Sequence, residues 1–481
     1  MPWIDPAPSM KESTLAHAFK MALACFTAGG LHTAFAADGD IDTSFGNGGY
    51  IVLNSLMDHS PPLLTQAAAV AVDGQGRIVI TGAAQHISAD PDPADGNFLL
   101  LRLHSNGEFD DTFAADSGGY RLVDFDLSGI GKPGPDTATR VVVEPDGRIV
   151  VGGRAYFDDT DMHFGLVRVD DTGTPDATFG SGGMLHFGAF YSPINSLADL
   201  AVDSTGGVLI GGSIYFGSKE YAAVARITSN GTIDPGFNYG YIQGFAYRTE
   251  PAVAQYSYVN AMGLDDSGGI VTAGGFYDTT TGYVEGAAVR RLTPTGALDP
   301  VFGSGGPVQI ASDPDAYLAA RAIHVMSGGE FVVAGYSTGL NPYVYFAKFS
   351  ASGVPDASFG TNGVATFPFD ANGAPLLIAP TRRGGWMMAG SYSQQGYFIA
   401  KVLANGQPDT TLAGTGLVGV VFPQPIYDAF GLFQMANPAL TADGRLVVAG
   451  SLPEAEANGS GDIGVVQILA DYDTLFVAGF E

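Results

Sequence analysis

Two loops carry carboxylates at a density that could hold a cation. Residues 89–97 read ADPDPADGN, and residues 157–163 read FDDTDMH. Oxygen-rich loops of this kind can bind calcium. Neither loop has the twelve-residue calcium spacing with its distal Glu, so we favour solvated acidic loops and assign no metal or cofactor site, leaving calcium to be tested. The carboxylates concerned are Asp90, Asp92, Asp95, Asp158, Asp159 and Asp161.

Histidines offer acid–base chemistry, but each occurs singly. None lies in an H-x-H or H-E-x-x-H pattern, and the chain has no G-x-S-x-G elbow, so we assign no catalytic residue. Three of them fall in long loops expected on one face, where they could converge with acidic residues. Such a cluster would indicate a hydrolase or lyase. The histidines after residue 36 are His59, His86, His104, His163, His186 and His324, and the three loop histidines are His59, His86 and His163.

Aromatic residues recur just after one strand of each repeated segment described below. Planar rings with a polar edge suit sugars and peptides, so a set of them could form a binding platform. Packing between neighbouring units is the simpler interpretation. The aromatics are Tyr156, Phe157, Tyr215, Phe216, Phe276, Tyr277, Tyr336 and Tyr392.

Composition restricts the kind of protein that presents these residues. The 481 residues carry a formal net charge of -28, which would repel nucleic acid and anionic membranes over most of the surface. Hydrophobic residues make up 46% and there are 68 glycines. A chain of this composition is too apolar for disorder and has enough glycine for many tight turns, so we expect a packed β protein.

Residues 1–36 have the pattern of a cleaved export signal. Lys11 and Lys20 precede the apolar run MALACFTAGGLHTAFA (21–36), whose last residues Ala34-Phe35-Ala36 resemble a cleavage site. We expect cleavage after Ala36, which also removes the single cysteine, and a secreted, periplasmic or cell-surface protein. No later run is long enough to span a bilayer. Residues 471–481 form a short C-terminal tail by pattern.

One turn motif recurs seven times along the chain. Its form is G-x-(L/I/P)-D-x-x-F-G-x-G-G, and it begins at Gly39, Gly107, Gly173, Gly231, Gly296, Gly353 and Gly406. Its Asp is Asp42, Asp110 or Asp111, Asp176, Asp234, Asp299, Asp356 and Asp409. Its aromatic is Phe45, Phe113, Phe179, Phe237, Phe302 and Phe359, with Leu412 in the last copy. We interpret the Asp as a cap of the turn and the Phe as a wedge between neighbouring units.

Four strands accompany each motif. An apolar hairpin such as TRVVVEPDGRIVVGG (139–153) is followed by a third strand such as FGLVRV (164–169), and a fourth follows the Gly-Gly. Four short strands repeated in this way are typical of propeller blades. We predict an all-β, seven-bladed β-propeller of four-stranded antiparallel blades over residues 38–470. The N-terminal strand 50–53 should pair with the last blade (439–468) and close the ring.

The motifs closely resemble the delta-60 repeat family of bacteria. GDIDTSFGNGG (39–49), DGRIVVGG (146–153) and TPDATFGSGG (174–183) carry the resemblance. The sequence departs from the family pattern at residues 381–384 and 410–417, where we expect less regular structure. The family implies export and a propeller-like fold but no characterised activity.

The sequence therefore predicts an exported, non-catalytic scaffold or binding module. A protein or a glycan would bind the face with the long variable loops, and nucleic acid is not a partner. The alternative is a propeller hydrolase or lyase with a metal or His/Asp site at the mouth of the channel.

Overall fold

The structure is a computed structural model, and it describes sixteen ranges of the chain. Among them, no helix is long and apolar enough to cross a membrane. The predicted export signal, the tail beyond residue 471, His59 and most of the acidic loop residues lie outside the description. The ranges are 37–53, 63–86, 96–125, 136–158, 161–188, 195–216, 219–237, 245–248, 256–278, 284–312, 317–339, 341–369, 373–392, 396–421, 434–451 and 462–471.

Within these ranges the chain forms β-strands and two short 3-10 turns, Ala115–Ser117 and Phe302–Ser304. The first strands in chain order are β1 Tyr50–Leu53, β2 Leu63–Val72, β3 Ile78–His86, β4 Gly96–Leu103, β5 Tyr120–Val123, β6 Thr137–Val143, β7 Ile149–Asp158, β8 Asp161–Val169, β9 Met184–Phe187, β10 Asn195–Val202, β11 Val208–Phe216, β12 Lys219–Ile227 and β13 Phe245–Arg248. The others are β14 Tyr256–Leu264, β15 Ile270–Asp278, β16 Val284–Leu292, β17 Val308–Ser312, β18 Tyr317–Val325, β19 Phe331–Thr338, β20 Tyr343–Phe349, β21 Val364–Pro368, β22 Ala374–Pro380, β23 Trp386–Tyr392, β24 Gly396–Val402, β25 Leu417–Val421, β26 Gln434–Met435, β27 Ala439–Leu440, β28 Arg445–Ser451 and β29 Ile463–Leu469.

The strands pair as consecutive antiparallel neighbours, as the sequence predicts. Four sheets have the four-stranded orders β2-β3-β4-β5, β6-β7-β8-β9, β18-β19-β20-β21 and β22-β23-β24-β25. A larger sheet joins β10–β13 to β14–β17 through one parallel contact, Glu220 opposite Tyr256. The remaining sheet contains β26, β27, β28, β29 and β1. We call this sheet, each four-stranded sheet and each half of the larger sheet a unit, and we number the strands of a unit from first to fourth. In the last unit β26 and β27 together take the place of the first strand, and β1 is the fourth. The all-β fold with four-stranded antiparallel units is thus confirmed.

The N-terminal strand pairs with the last strand of the chain. In β1, Tyr50 is opposite Val466 and Leu53 is opposite Ile463. The pairing extends towards the N-terminus, where the amide of Gly39 donates to the carbonyl of Leu469 at 2.6 Å. The predicted pairing of residues 50–53 with the last unit is therefore present.

The last unit also contacts the first. The amide of Val70 on β2 donates to the carbonyl of Asn437 at 2.9 Å, and the amide of Ala67 donates to Ser451 Oγ at 3.1 Å. The amide of Gly46 donates to the carbonyl of Asn106 at 2.9 Å. These bonds join residues that are far apart in sequence but belong to adjacent units.

The repeated Phe lies between neighbouring units, as expected. Phe45, Phe113, Phe179, Phe237, Phe302, Phe359 and the substituted Leu412 are all at most 1% exposed. A Cβ added to Gly107 would lie 2.9 Å from the ring of Phe45, so the Phe of one turn packs on the first glycine of the next. That glycine has φ of +90° as well, which independently favours glycine. The wedge interpretation is confirmed.

The repeated Asp caps its turn, and in five copies it also binds a cation on the third strand. In all seven copies Oδ1 accepts the amide two residues further on, at 2.8–3.1 Å. In the second motif the residue is Asp110, whose Oδ2 accepts from Arg102 Nε at 2.7 Å. The capping interpretation is confirmed, and the cation of the third strand is an addition that the sequence analysis missed.

One predicted irregularity is wrong. The turn at Thr381–Gly384 has the ordinary bonds, with the amide of Thr381 donating to the carbonyl of Gly385 at 2.9 Å. Thr381 Oγ1 accepts the amide of Gly385 at 2.9 Å, so a hydroxyl replaces the usual carboxylate of this turn.

These carboxylates make the stability of the fold dependent on pH. Hydrogen bonds from Lys348 and Ser358 lower the pKa of Asp356 from 3.8 to about 2. At Asp110, burial opposes ionisation, but the bonds from Thr112 and Arg102 outweigh it and the pKa is lowered. A lowered folded-state pKa stabilises the protein above pH 3.8, and this contribution is lost as the pH falls towards 2.

We therefore expect the melting temperature to fall steeply between about pH 4 and pH 2. Asp356→Asn should flatten part of that decline, while Asp111→Asn, next to the motif Asp, should not. A melting temperature independent of pH in this range would contradict the assignment.

Candidate functional site

The predicted acidic and histidine sites receive little support from the described residues. Asp158 and Asp161 are opposite each other at the ends of β7 and β8. Asp90, Asp92, Asp95, Asp159 and His59 lie outside the described ranges. In the part of the chain that is described, no three His, Cys, Asp or Glu side chains are grouped as a metal site requires. Calcium binding, which the sequence leaves open, is not tested by these residues.

His163 has a partner that its sequence context did not indicate. Its Nδ1 is 3.2 Å from Nδ1 of His186, and the rings stack with centroids 5.5 Å apart. Burial lowers the pKa of His186, and His163 lowers it further. His163 lies on β8 and His186 on β9, the fourth strand of the same unit. The residue opposite His186 is Gly165, two positions after His163 on β8. His86 ends β3 on a different sheet.

The predicted aromatics divide into packing residues and partly exposed ones. Phe276 is 3% exposed, so it is a packing residue. Tyr336 packs against the hydrophobic cluster between β18–β21 and β22–β25, while Tyr156 and Tyr215 are partly exposed. The packing interpretation is thus correct for Phe276 and describes part of the role of Tyr336. The side chains of Phe157, Phe216, Tyr277 and Tyr392 lie outside the description.

Three tyrosines from two units lie in a row at one end of the strands. Tyr258 and Tyr317 are near the starts of the first strands β14 and β18, and Tyr336 is near the end of the second strand β19. Tyr258 Oη is 2.7 Å from Tyr317 Oη, and the rings of Tyr317 and Tyr336 are 5.7 Å apart. Burial raises the pKa of Tyr317, and Tyr258 raises it further, so this phenol stays protonated at neutral pH. All three side chains are partly exposed.

Two more tyrosines extend the group across the neighbouring unit. Burial raises the pKa of Tyr215, and so does its hydrogen bond to Glu220; Tyr256 contributes further. Tyr256 is opposite Tyr277 at the start of β14, so it lies at the same end as Tyr258. We name Tyr215, Tyr256, Tyr258, Tyr317 and Tyr336 the tyrosine group. Three of them, Tyr256, Tyr258 and Tyr317, lie near the starts of first strands, so they are not among the aromatics that recur after the second strands.

The comparison with protein families agrees with the fold. The profile of a family described as "Domain of unknown function (DUF5122) beta-propeller" matches residues 144–179 and 204–237. These two segments are therefore similar to a β-propeller repeat family. No curated protein sequence matches the chain.

Several solved structures are similar at low identity. A protein of unknown function from Dyadobacter fermentans has 10% identity and a TM-score of 0.45, with 88% of this chain and 98% of that chain covered. The polysaccharide lyase Uly1 has 10% identity and a TM-score of 0.47, covering 84% and 90%. The β-propeller domain of the Trilobed protease from Pyrococcus furiosus has 9% identity and a TM-score of 0.42, covering 85% and 99%.

Proposed function

We propose that the protein is an exported, non-catalytic binding module built as a closed, seven-bladed propeller of delta-60-type repeats. The larger sheet is held together by one parallel pair, Glu220 opposite Tyr256, which supports counting it as two blades. The pairing of β1 with β29, and the bonds from Val70 and Gly46 to the neighbouring unit, support closure between the last blade and the first.

A glycan is the ligand that this geometry supports best. The tyrosine group offers partly exposed rings together with hydroxyls, which suits a ligand with apolar faces and many hydroxyl groups. It lies at the end with the long variable loops, whereas the carboxylates and cations of the repeated turns at the other end bind one another. The observation that carries the proposal is the hydroxyl pair of Tyr258 and Tyr317 at the start of two first strands.

A glycan array probed with the purified full-length protein tests the proposal. We expect binding to particular glycans, and we expect Tyr317→Ala to weaken it by about tenfold or more, the effect of losing about 1.4 kcal/mol. Tyr258→Phe should have a smaller effect because the ring remains.

Tyr397→Phe is the matched control, since Tyr397 is fully buried and donates to the carbonyl of Ala436. It should lower stability without changing affinity. A wild-type protein that binds no glycan, or a Tyr317→Ala variant with unchanged affinity, would overturn the proposal. Cleavage of the bound glycan would favour the hydrolase or lyase alternative.

A further inference from the structure

The first strands carry a recurrent irregularity that the repeat motifs do not predict. In six units the pairing of first and second strands shifts by one residue at the same place, after Ala67, Ala138, Leu197, Val259, Ala320 and Pro375. Such a β-bulge leaves one residue unpaired and redirects side chains. Bulges are frequent next to binding sites.

Five of the six bulged strands line a cavity of about 400 Å³. Its walls come from β6, β10, β14, β18 and β22, with Asn437 beside β26. The volume is within the range of small-molecule sites. Along β18, Arg321 lies four residues beyond Tyr317, about 13 Å at the rise of a strand, so this cavity is deeper than the tyrosine group.

The residues at the equivalent bulges are of five different types in the six units. The unpaired residue is Ala68 on β2, Thr139 on β6, Ala198 on β10, Asn260 on β14, Arg321 on β18 and Leu376 on β22. By contrast, the Asp and Phe of the turn motif repeat almost without change because they build the fold. Because these positions are equivalent in structure but carry different side chains, they can determine which ligand the cavity binds.

Three ionisable residues line the cavity: Arg140, Asp199 and Arg321. Both carboxylate oxygens of Asp199 already accept backbone amides, from Leu200 at 2.9 Å and from Met262 at 2.7 Å. Burial lowers the pKa of Arg140; Asp199 opposes that effect and Arg321 adds to it. The two guanidinium groups therefore repel each other and share a single carboxylate.

Arg321 is incompletely bonded in the described structure. One of its terminal nitrogens donates to Asn260 Oδ1 at 3.2 Å, but its buried Nε has no hydrogen-bond partner. A buried donor without a partner is destabilising. An anion in the cavity would balance the positive charge of the two guanidinium groups that line it beside one carboxylate.

We propose that this cavity binds a small organic monocarboxylate. The carboxylate accepts hydrogen bonds from Arg140 and Arg321, a pairing that guanidinium groups favour. The apolar body of the ligand packs against Met262, Ile323 and Leu377, which line the same cavity. This inference does not depend on glycan binding.

Isothermal titration calorimetry of the full-length protein with hexanoate tests it, with hexan-1-ol and hexylammonium as probes of equal length. We expect one hexanoate per chain, and binding of both other probes weaker by about tenfold or more. Arg321→Gln, which keeps a donor for Asn260, should weaken hexanoate by about tenfold, and Asp199→Asn should strengthen it because a competing negative charge is removed.

Arg121→Gln is the matched control, since it makes the same charge change at an arginine paired with the exposed Asp116. It should leave hexanoate affinity unchanged. The proposal fails if hexanoate does not bind at millimolar concentration, if hexan-1-ol binds equally well, or if Asp199→Asn weakens binding. If Arg321→Gln does not fold, the probe series on the wild-type protein and the Asp199→Asn variant still decide the question.

Discussion

Replacing Lys401 with Met is expected to lower the free energy of unfolding by about 3–5 kcal/mol, because it leaves buried carboxylates without their cation. Lys401 is 2% exposed. Its Nζ binds Asp38 at 2.6 Å and Asp471 at 2.9 Å, from the two ends of the described chain. Asp471 Oδ2 also accepts the amide of Arg382 at 2.7 Å. One ammonium group thus connects the first turn, the last strand and a neighbouring turn.

The matched control is Lys348→Met, at the equivalent position one unit earlier. Lys348 Nζ binds Asp356 at 2.8 Å, but both side chains are more accessible, at 20% and 26% exposure. An ion pair of this kind contributes less than about 1 kcal/mol. Urea unfolding measures both variants, with the loss of free energy taken from the midpoint and slope. Equal effects of the two substitutions would show that the chain ends do not depend on Lys401.

If the predicted export signal is removed, the contact of Lys401 with Asp38 lies at the N-terminus of the mature chain. Asp38 is two residues after the predicted cleavage site, and the amide of Ala37 donates to Asp40 Oδ2 at 2.8 Å. If the chain is cleaved after Ala36, that amide becomes a charged amine, and its bond to Asp40 becomes charge-assisted and stronger.

The strands could be predicted because the information for them is local. The segments YIVL (50–53) and FGLVRV (164–169) are predicted as strands from their position in the repeat, and they form β1 and part of β8. The same holds for the capping Asp, which needs only an amide two residues away. The pairing of β1 with β29 is also predicted from the order of strands in the repeat. The last repeat ends with a third strand, and the N-terminal segment 50–53 is a fourth strand without the other three.

The candidate sites could not be predicted in the same way because they join residues from different units. Lys401 and Asp38 are 363 residues apart in the sequence. The repeat pattern around either residue therefore does not indicate that the two side chains meet. The phenols of Tyr258 and Tyr317 meet although each begins a separate first strand. The bulge at Arg321 breaks the alternation of the strand, so a regular two-residue period assigns its side chain to the wrong face.

Replacing Phe45 with Ala is expected to destabilise the protein by about 3–5 kcal/mol if the last and first units pack as the internal ones do. Phe45 is 1% exposed, and it contacts Gly107 of the first unit. Phe302 is the matched residue at an internal boundary, also 1% exposed and in contact with Gly353. In a closed ring the two substitutions cost the same, because every boundary between units is equivalent.

An open ring predicts a different ratio. If the boundary beside Phe45 separates in solution, the side chain is already partly in water, and Phe45→Ala costs much less than Phe302→Ala. Phe45→Leu serves as the conservative variant, since Leu412 fills the same place in another copy of the motif at 0% exposure. Urea midpoints of the three variants decide between the two states: similar losses for both Ala variants support closure, and a loss confined to Phe302→Ala contradicts it.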